Sequence, residues 1–176
     1  ITIPAGQTSA TLTITGTDDA IDESDETIIL TPSASGAVLA SSAALNIAFT
    51  DNDLPPAVTS VSSTTADGAF KQGQTIAITV NFDKAVTVTG TPQLTLETGS
   101  NDGVVDYASG TGTTTLTFNY TIGSGQNSDD LDYAATTSLA LNSGTITETG
   151  GTSDVTLTLP SPGATNSLGA NKALVI

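Results

Sequence analysis

The chain has 176 residues and a net charge of −15, because 18 carboxylates face only three lysines. Binding to the phosphates of nucleic acid or of anionic lipid requires a basic face, and three lysines cannot supply one. Cysteine, histidine, methionine and tryptophan are absent, which excludes disulfides, thiolate or imidazole metal sites and catalysis by cysteine or histidine.

The first 53 residues contain only a few predicted strands. Alternation of polar and apolar residues, clearest at 11–15, places one strand face in a core and the other in water. Three or four strands cannot close a two-sheet sandwich, so we expect the back half of a domain whose front half was removed or is supplied by another chain. The start at Ile1 rather than Met also indicates a processed or excised piece. The predicted strands are 1–3, 10–15, 26–31 and 43–50.

A domain boundary is predicted where the acidic residues 51–53 are followed by Pro55 and Pro56. Consecutive prolines cannot continue a central strand, because proline lacks the backbone N–H that a sheet ladder uses. The apolar alternation restarts at Val58. We therefore interpret residues 1–53 as one unit, 54–56 as a short stiff linker and 57–176 as a second unit.

The second unit shows period-two alternation and no helical spacing. The alternation is clearest at 75–82, 91–96, 115–122 and 154–159, with glycine-containing turns between the runs. It predicts seven or more strands in antiparallel sheets, with the few aromatic residues in the core rather than on a ligand. The fold class expected for the chain is all-β: antiparallel β-sandwiches in tandem, the first one incomplete.

Six carboxylates crowd residues 18–26, and like charges this close repel one another. One interpretation is a solvated loop that keeps an acidic protein soluble. Another follows from strand direction: if the strands at 10–15, 26–31 and 43–50 alternate, the loop 16–25 and the exit 51–53 lie at the same end of the sandwich. Two acidic clusters at one pole would suit a hard cation with six to eight oxygen ligands.

Three motifs in this region, IPAGQTSAT at 3–11, DDAIDESDET at 18–27 and TDND at 50–53, resemble the C-terminal half of a Calx-beta domain. Such domains are immunoglobulin-like sandwiches that bind Ca²⁺ at the pole leading to the next domain. The family also draws ligands from its front half, which this sequence lacks. The resemblance implies Ca²⁺ ligation by the carboxylates of Asp18, Asp19 and Glu23, the carbonyl of Ile21, and Asp51 and Asp53 from the exit.

The second unit is similar to a bacterial immunoglobulin-like repeat of very large surface proteins and adhesins. The residues that carry this likeness are VTSVSS at 58–63, KQGQTI at 71–76, VNFDKAV at 80–86, PQLTLET at 92–98 and LGANKAL at 168–174. The likeness implies an immunoglobulin-like sandwich and an extracellular, bacterial cell-surface location. It carries no known catalytic residues.

We therefore expect a calcium-stabilised extender module of a large extracellular adhesin-like protein, and not an enzyme. Paired carboxylates could still catalyse glycoside hydrolysis, but that needs a cleft with aromatic platforms, and aromatic residues make up only 4%. The expected partners are neighbouring domains or copies of the same protein, with any cell-surface or matrix ligand held elsewhere in the parent. No nucleic acid and no membrane insertion are expected, since no apolar run approaches the roughly 20 residues that span a bilayer.

Two alternatives stay open, namely a subunit of an extracellular filament assembled by β-strand complementation between chains, and a module that binds a glycan or host surface directly. Three smaller acidic features remain, and the first two of them have two interpretations each. The stretch at Asp129, Asp130 and Asp132 is a solvated turn or a second calcium contact. Asp83 is an ordinary strand-end residue or reaches an ion at the linker, and Asp67 is interpreted as a turn residue.

Overall fold

The structure is a computed structural model that describes residues 1–3, 5–34, 41 and 43–176. It comprises two compact units. The first unit consists of Ile1–Ala20 and Ser24–Asn52, and the second consists of Ile21–Glu23 and Asp53–Ile176. The second unit therefore takes in a three-residue segment that lies inside the sequence of the first. The boundaries expected from sequence at 53 and 57 stay a prediction.

The regular structure described in the first unit is one antiparallel hairpin of β1 (Glu26–Leu30) and β2 (Leu45–Phe49). Its register pairs Glu26 with Phe49 and Leu30 with Leu45, which places alternate residues of both strands on the same face. That face is apolar yet partly open to solvent: Ile28 is 39% exposed and Leu45 58%. The hairpin corresponds to the strands predicted at 26–31 and 43–50.

The strands predicted at 1–3 and 10–15 do not form among the described residues. A strand is defined by hydrogen bonds to a neighbour, and alternation of threonine with leucine or isoleucine supplies no neighbour by itself. Leu12, which the alternation places on an inward face, is 59% exposed. The prediction of strands at 1–3 and 10–15 is therefore wrong, although the polar–apolar alternation is present.

The second unit is built around an eight-stranded sheet in the order β10-β6-β7-β8-β5-β11, with β3 also paired to β5 and β9 to β6. All of these pairs are antiparallel, and β5 shifts register between Asn81 and Val86. A separate parallel pair joins β12 to β4. The strands are β3 (Val58–Ser63), β4 (Gly68–Ala69), β5 (Thr75–Thr89), β6 (Gln93–Glu97), β7 (Gly103–Ser109), β8 (Thr113–Thr121), β9 (Asp132–Tyr133), β10 (Leu139–Ala140), β11 (Thr145–Glu148) and β12 (Leu174–Val175).

The core of the second unit lies on one face of the long central strands. Ile76, Ile78 and Val80 of β5 pack with Leu116 and Phe118 of β8, and all five side chains are fully buried. The pattern at 75–82 and 115–122 is therefore confirmed, as is the all-β class with antiparallel sheets. The immunoglobulin-like description stays a prediction.

The aromatic residues belong to this core, as expected. Tyr107 packs edge-on against Phe118, with ring centroids 6.1 Å apart. Tyr120 and Tyr133 are buried, and burial raises the pKa of both phenols. Each phenol therefore acts as a donor: Tyr120 donates to Gln126 Oε1 at 2.8 Å and Tyr133 to the carbonyl of Pro160.

Two features depart from the sequence-based expectation for the second unit. One helical turn, α1 (Leu168–Asn171), forms because the hydroxyl of Ser167 accepts the N–H of Ala170 and caps it. The run at 154–159 keeps its alternating burial but forms only isolated bridges, Ala57 to Thr156 and Thr147 to Asp154. Alternation there reports which side chains are buried, not which backbone groups are paired.

The central packing makes a direct prediction. Leu116→Ala removes a fully buried side chain from the centre of β8 and should lower the free energy of unfolding of the second unit by about 2–5 kcal/mol. The matched control is Leu54→Ala, because Leu54 is 76% exposed and its loss should cost less than about 0.5 kcal/mol. Urea unfolding measures both, and equal effects would contradict the assigned core.

Candidate functional site

The six residues predicted to ligate calcium fall in both units. Asp18 and Asp19, in the loop before β1, and Asp51, just after β2, belong to the first unit. Ile21, Glu23 and Asp53 belong to the second. Three of them are half-buried and three are exposed. The ligand set is therefore divided between the units, and its assembly stays a prediction.

Within the first unit, the acidic loop and the acidic exit are in contact. The backbone N–H of Asp51 donates to Asp25 Oδ1 at 3.0 Å. This contact follows from the hairpin register, since pairing of Glu26 with Phe49 brings the residue before β1 close to the residues after β2. The strand directions inferred from the sequence predict the same juxtaposition.

The chemistry of these residues suits a hard cation, because Ca²⁺ takes carboxylate and carbonyl oxygens and these are the donors present. A metal site also requires that several of these side chains lie close together. Over the described ranges, no group of three or more aspartate or glutamate side chains is close enough to hold a metal ion. Calcium binding by these residues is therefore a proposal that rests on the chemistry of the donors and on their charge.

The segment Ile21–Glu23 makes contacts that the sequence did not predict. Asp22 was counted among the crowded carboxylates, yet its backbone N–H donates to Glu148 Oε2 at 3.0 Å. Its carbonyl accepts the hydroxyl of Ser153 at 2.6 Å. Glu148 is only 4% exposed, and its other carboxylate oxygen lies 3.2 Å from Lys84 Nζ.

One signal could have identified Glu148 from the sequence. It follows Ile146 by two residues in β11, so it occupies the inward phase of the strand alternation, where a carboxylate requires a partner. The identity of that partner depends on the pairing of β11 with β5, which sets Glu148 opposite Val86, two residues after Lys84. The local sequence pattern does not predict a pairing between residues that are 62 positions apart, such as Val86 and Glu148.

Asp83 and Asp67 both bind backbone groups of their own unit. Asp83 Oδ1 accepts the N–H of Ala57 at 2.8 Å, and the N–H of Asp83 donates back to the carbonyl of Ala57 at 3.1 Å. Asp83 thereby fixes the chain just after the predicted linker. Asp67 forms an ion pair with Lys172 at 2.8 Å and accepts the N–H of Ala173, so its interpretation as a turn residue alone is wrong.

The second acidic stretch surrounds a surface depression of about 500 Å³. Asp129 and Asp130 are exposed there, beside α1 and the ion-paired Asp67. Asp132 is oriented differently: its carboxylate accepts the N–H groups of Gly163 and of Tyr133, both at 2.9 Å. Two of the three carboxylates therefore face solvent and the third holds a loop, an arrangement that favours the solvated-turn interpretation.

A scan against protein-family models, a search of curated proteins and a search of solved structures each found no match for this chain. The resemblances to a Calx-beta domain and to a bacterial immunoglobulin-like repeat therefore stay predictions based on the motifs quoted above. In the described part of the chain, no helix has the length and hydropathy required to cross a membrane.

The Asp67–Lys172 pair predicts a pH dependence. The hydrogen bond from Lys172 holds the pKa of the Asp67 carboxyl below its ordinary value of 3.8. A carboxyl that is more acidic in the folded state stabilises the fold above about pH 3.8, and that stabilisation is lost as the pH falls through the lowered pKa. Lys172→Gln should return the pKa of Asp67 towards 3.8, as measured by NMR titration of its carboxyl carbon.

Lys71→Gln is the matched control, because it removes the same charge elsewhere in the second unit. Should Asp67 titrate identically in Lys172→Gln and in the wild type, the ion pair is not formed in solution.

Proposed function

We propose that this chain is a calcium-stabilised structural module, an extender that holds other parts of a large extracellular, bacterial adhesin-like surface protein away from the cell. The observation that carries the proposal is the contact between Asp25 and the N–H of Asp51, at the end of the hairpin where the acidic loop and the acidic exit meet. Structural modules of this kind need a rigid fold rather than a reactive centre.

The charges of the first unit support a need for an external cation. The three lysines, at 71, 84 and 172, all lie in the second unit, and the chain has no arginine. Aspartate and glutamate at positions 18, 19, 25, 26 and 51 therefore lie in a unit without lysine or arginine, and like charges crowded together repel one another. A divalent ion placed among them would replace this repulsion with attraction.

Extracellular calcium is abundant enough for this role. Modules outside the cell commonly bind Ca²⁺ with dissociation constants of about 10⁻⁴–10⁻³ M, so sites fill outside and empty inside the cell. Bound Ca²⁺ would supply charge neutralisation and crosslinking of the chain. The residues that would hold the ion are Asp18, Asp19, Ile21 (through its carbonyl), Glu23, Asp51 and Asp53.

The second unit supports the spacer role by its packing. Its core is continuous across β5 and β8, and Lys84 and Lys172 each pair with a carboxylate of the same unit. A unit that is internally packed and paired resists deformation with no bound ion. Neighbouring domains or further copies are the partners that such a spacer would contact.

Calcium should stabilise the folded chain. At 10 to 100 times the dissociation constant, binding to the folded state alone adds roughly 1.4–2.7 kcal/mol, so the melting temperature in millimolar Ca²⁺ should exceed that in EDTA. The combined substitutions Asp18→Asn and Asp19→Asn should abolish most of this difference. Differential scanning calorimetry with and without calcium measures it.

The matched control combines Asp129→Asn with Asp130→Asn, which removes two negative charges from exposed positions of the second unit. This variant should keep the calcium response of the wild type. Identical melting of the wild type in calcium and in EDTA would refute a structural role for the metal.

A second candidate function is a filament subunit assembled by strand addition between chains. The apolar face of the β1–β2 hairpin supports it, because Ile28 and Leu45 are exposed and an isolated two-stranded sheet is marginally stable in water. The edges of such a hairpin accept further strands. We expect light scattering of the chain to show mass increasing with concentration if this function holds, whereas a monomer at every concentration would eliminate it.

A further inference from the structure

The segment Ile21–Glu23 belongs to the second unit, whereas the chain on both sides of it, up to Ala20 and from Ser24, belongs to the first. Ile21 and Asp22 are half-buried there. Such a placement requires specific contacts, because three residues taken from an acidic loop otherwise gain more from hydration than from burial.

Side chains of the second unit bind both backbone groups of Asp22. Glu148 Oε2 accepts its N–H at 3.0 Å, and Ser153 Oγ donates to its carbonyl at 2.6 Å. A buried carboxylate that accepts an amide N–H forms a stronger bond than a neutral acceptor does. Both bonds use backbone groups of Asp22, so they do not depend on its carboxylate.

The two binding side chains are themselves held in place. Lys84 Nζ lies 3.2 Å from Glu148 Oε1, which leaves Oε2 directed at Asp22. The N–H of Glu148 donates to the carbonyl of Ser153 at 3.2 Å, and the N–H of Gly151 donates to the carbonyl of Glu148 at 3.3 Å. The turn 148–153 therefore presents an acceptor and a donor at a fixed separation.

Two glycines in the same turn make room for the side chain of Ile21. A Cβ added at Gly151 would lie 2.7 Å from Ile21 Cγ2, closer than real contacts allow, and one at Gly150 would lie 3.4 Å from Ile21 Cδ1. Gly150 also needs its positive φ of 93°, which favours glycine. Gly151 has no such requirement, so its lack of a side chain serves the contact with Ile21.

We propose that Glu148, Ser153, Gly150 and Gly151 form a docking site for the segment Ile21–Glu23, and that the docked segment is a latch. The second unit holds the chain at 21–23 and again from Asp53 onward, so the latch closes residues 24–52 into a loop. Tension applied to the ends of the chain then enters the second unit at the latch and bypasses that loop. This inference goes beyond the proposed function, since it requires neither calcium nor an adhesive parent protein.

Amide hydrogen exchange of the full chain, followed by NMR in EDTA, tests the docking. The Asp22 amide should exchange at least about tenfold more slowly than its intrinsic rate, because it is bonded to Glu148. Ser153→Ala should reduce that protection by about two- to tenfold and Glu148→Ala should abolish it. The control Ser124→Ala, at an exposed loop serine, should leave it unchanged. Exchange of the wild-type Asp22 amide at its intrinsic rate would overturn the proposal.

A pair of substitutions tests the role of the glycine. Gly151→Ala should lower the protection of Asp22 about tenfold in the wild-type background, because the new methyl group meets Ile21. Combined with Ile21→Ala, which removes the atom it meets, the same change should cost less than about twofold. Equal losses of Asp22 protection in both backgrounds would show that Ile21 does not contact the turn 148–153.

Single-molecule stretching from the two ends, also in EDTA, tests the mechanical role. Opening of the latch transfers the tension to the β1–β2 hairpin, whose unzipping releases roughly 30 residues, so an extension on the order of 100 Å should precede unfolding of the second unit. In Glu148→Ala the hairpin bears the tension from the start, so the same extension should occur at a lower force than in the wild type. A wild-type trace without the separate extension would overturn the latch, while the calcium response of the melting temperature would be unaffected by that result.

Discussion

The packing of β5 against β8 is the constraint on which the second unit depends. β5 spans Thr75–Thr89 and pairs with β3, β8 and β11, so one strand fixes the register of three others. Its inward residues are fully buried, and burial of such side chains contributes about 1.5–3 kcal/mol each before the entropy of ordering them is subtracted. The first half of β5 pairs with β3 and the second half pairs with β11, and the latter pairing brings Glu148 within reach of Lys84.

The two units differ more clearly in their distribution of charge than in their strand content. In the second unit, Lys84 and Lys172 each lie within ion-pair distance of a carboxylate. Glu148 of the Lys84–Glu148 pair also accepts the backbone N–H of Asp22. Both contacts offset the free energy that burial of the Glu148 carboxylate costs. The first unit has neither lysine nor arginine, and five of its residues, at 18, 19, 25, 26 and 51, carry carboxylates that repel one another at short range.

These two arrangements support one view of the molecule as a structural element. In the second unit, stability comes from a packed core and from internal ion pairs, neither of which requires a bound divalent ion. In the first unit, the small hairpin and the acidic cluster at its end would gain stability from a divalent ion. A module that combines both kinds of stabilisation would be rigid where calcium is abundant and looser where it is scarce.

The sequence by itself determined the all-β class, the alternation of the central strands and the placement of the aromatic residues in the core. These properties are local, because alternate residues of a strand face opposite sides of the sheet whichever strand is its partner. The two strands at 26–30 and 45–49 were predictable for the same reason, whereas their pairing into a hairpin was not part of that prediction. The meeting of Asp25 with Asp51 followed from strand direction alone.

Only the tertiary structure decided which segments pair. The segments 10–15 and 154–159 carry the same alternation as β5 and β8, yet neither forms a ladder, because pairing depends on a neighbour distant in sequence. The contacts of Ile21–Glu23 with Glu148 and Ser153 join residues more than 120 positions apart, through backbone groups that every residue possesses. No local sequence pattern predicts such a contact, because it forms only when the fold brings the buried carboxylate of Glu148 next to the segment Ile21–Glu23.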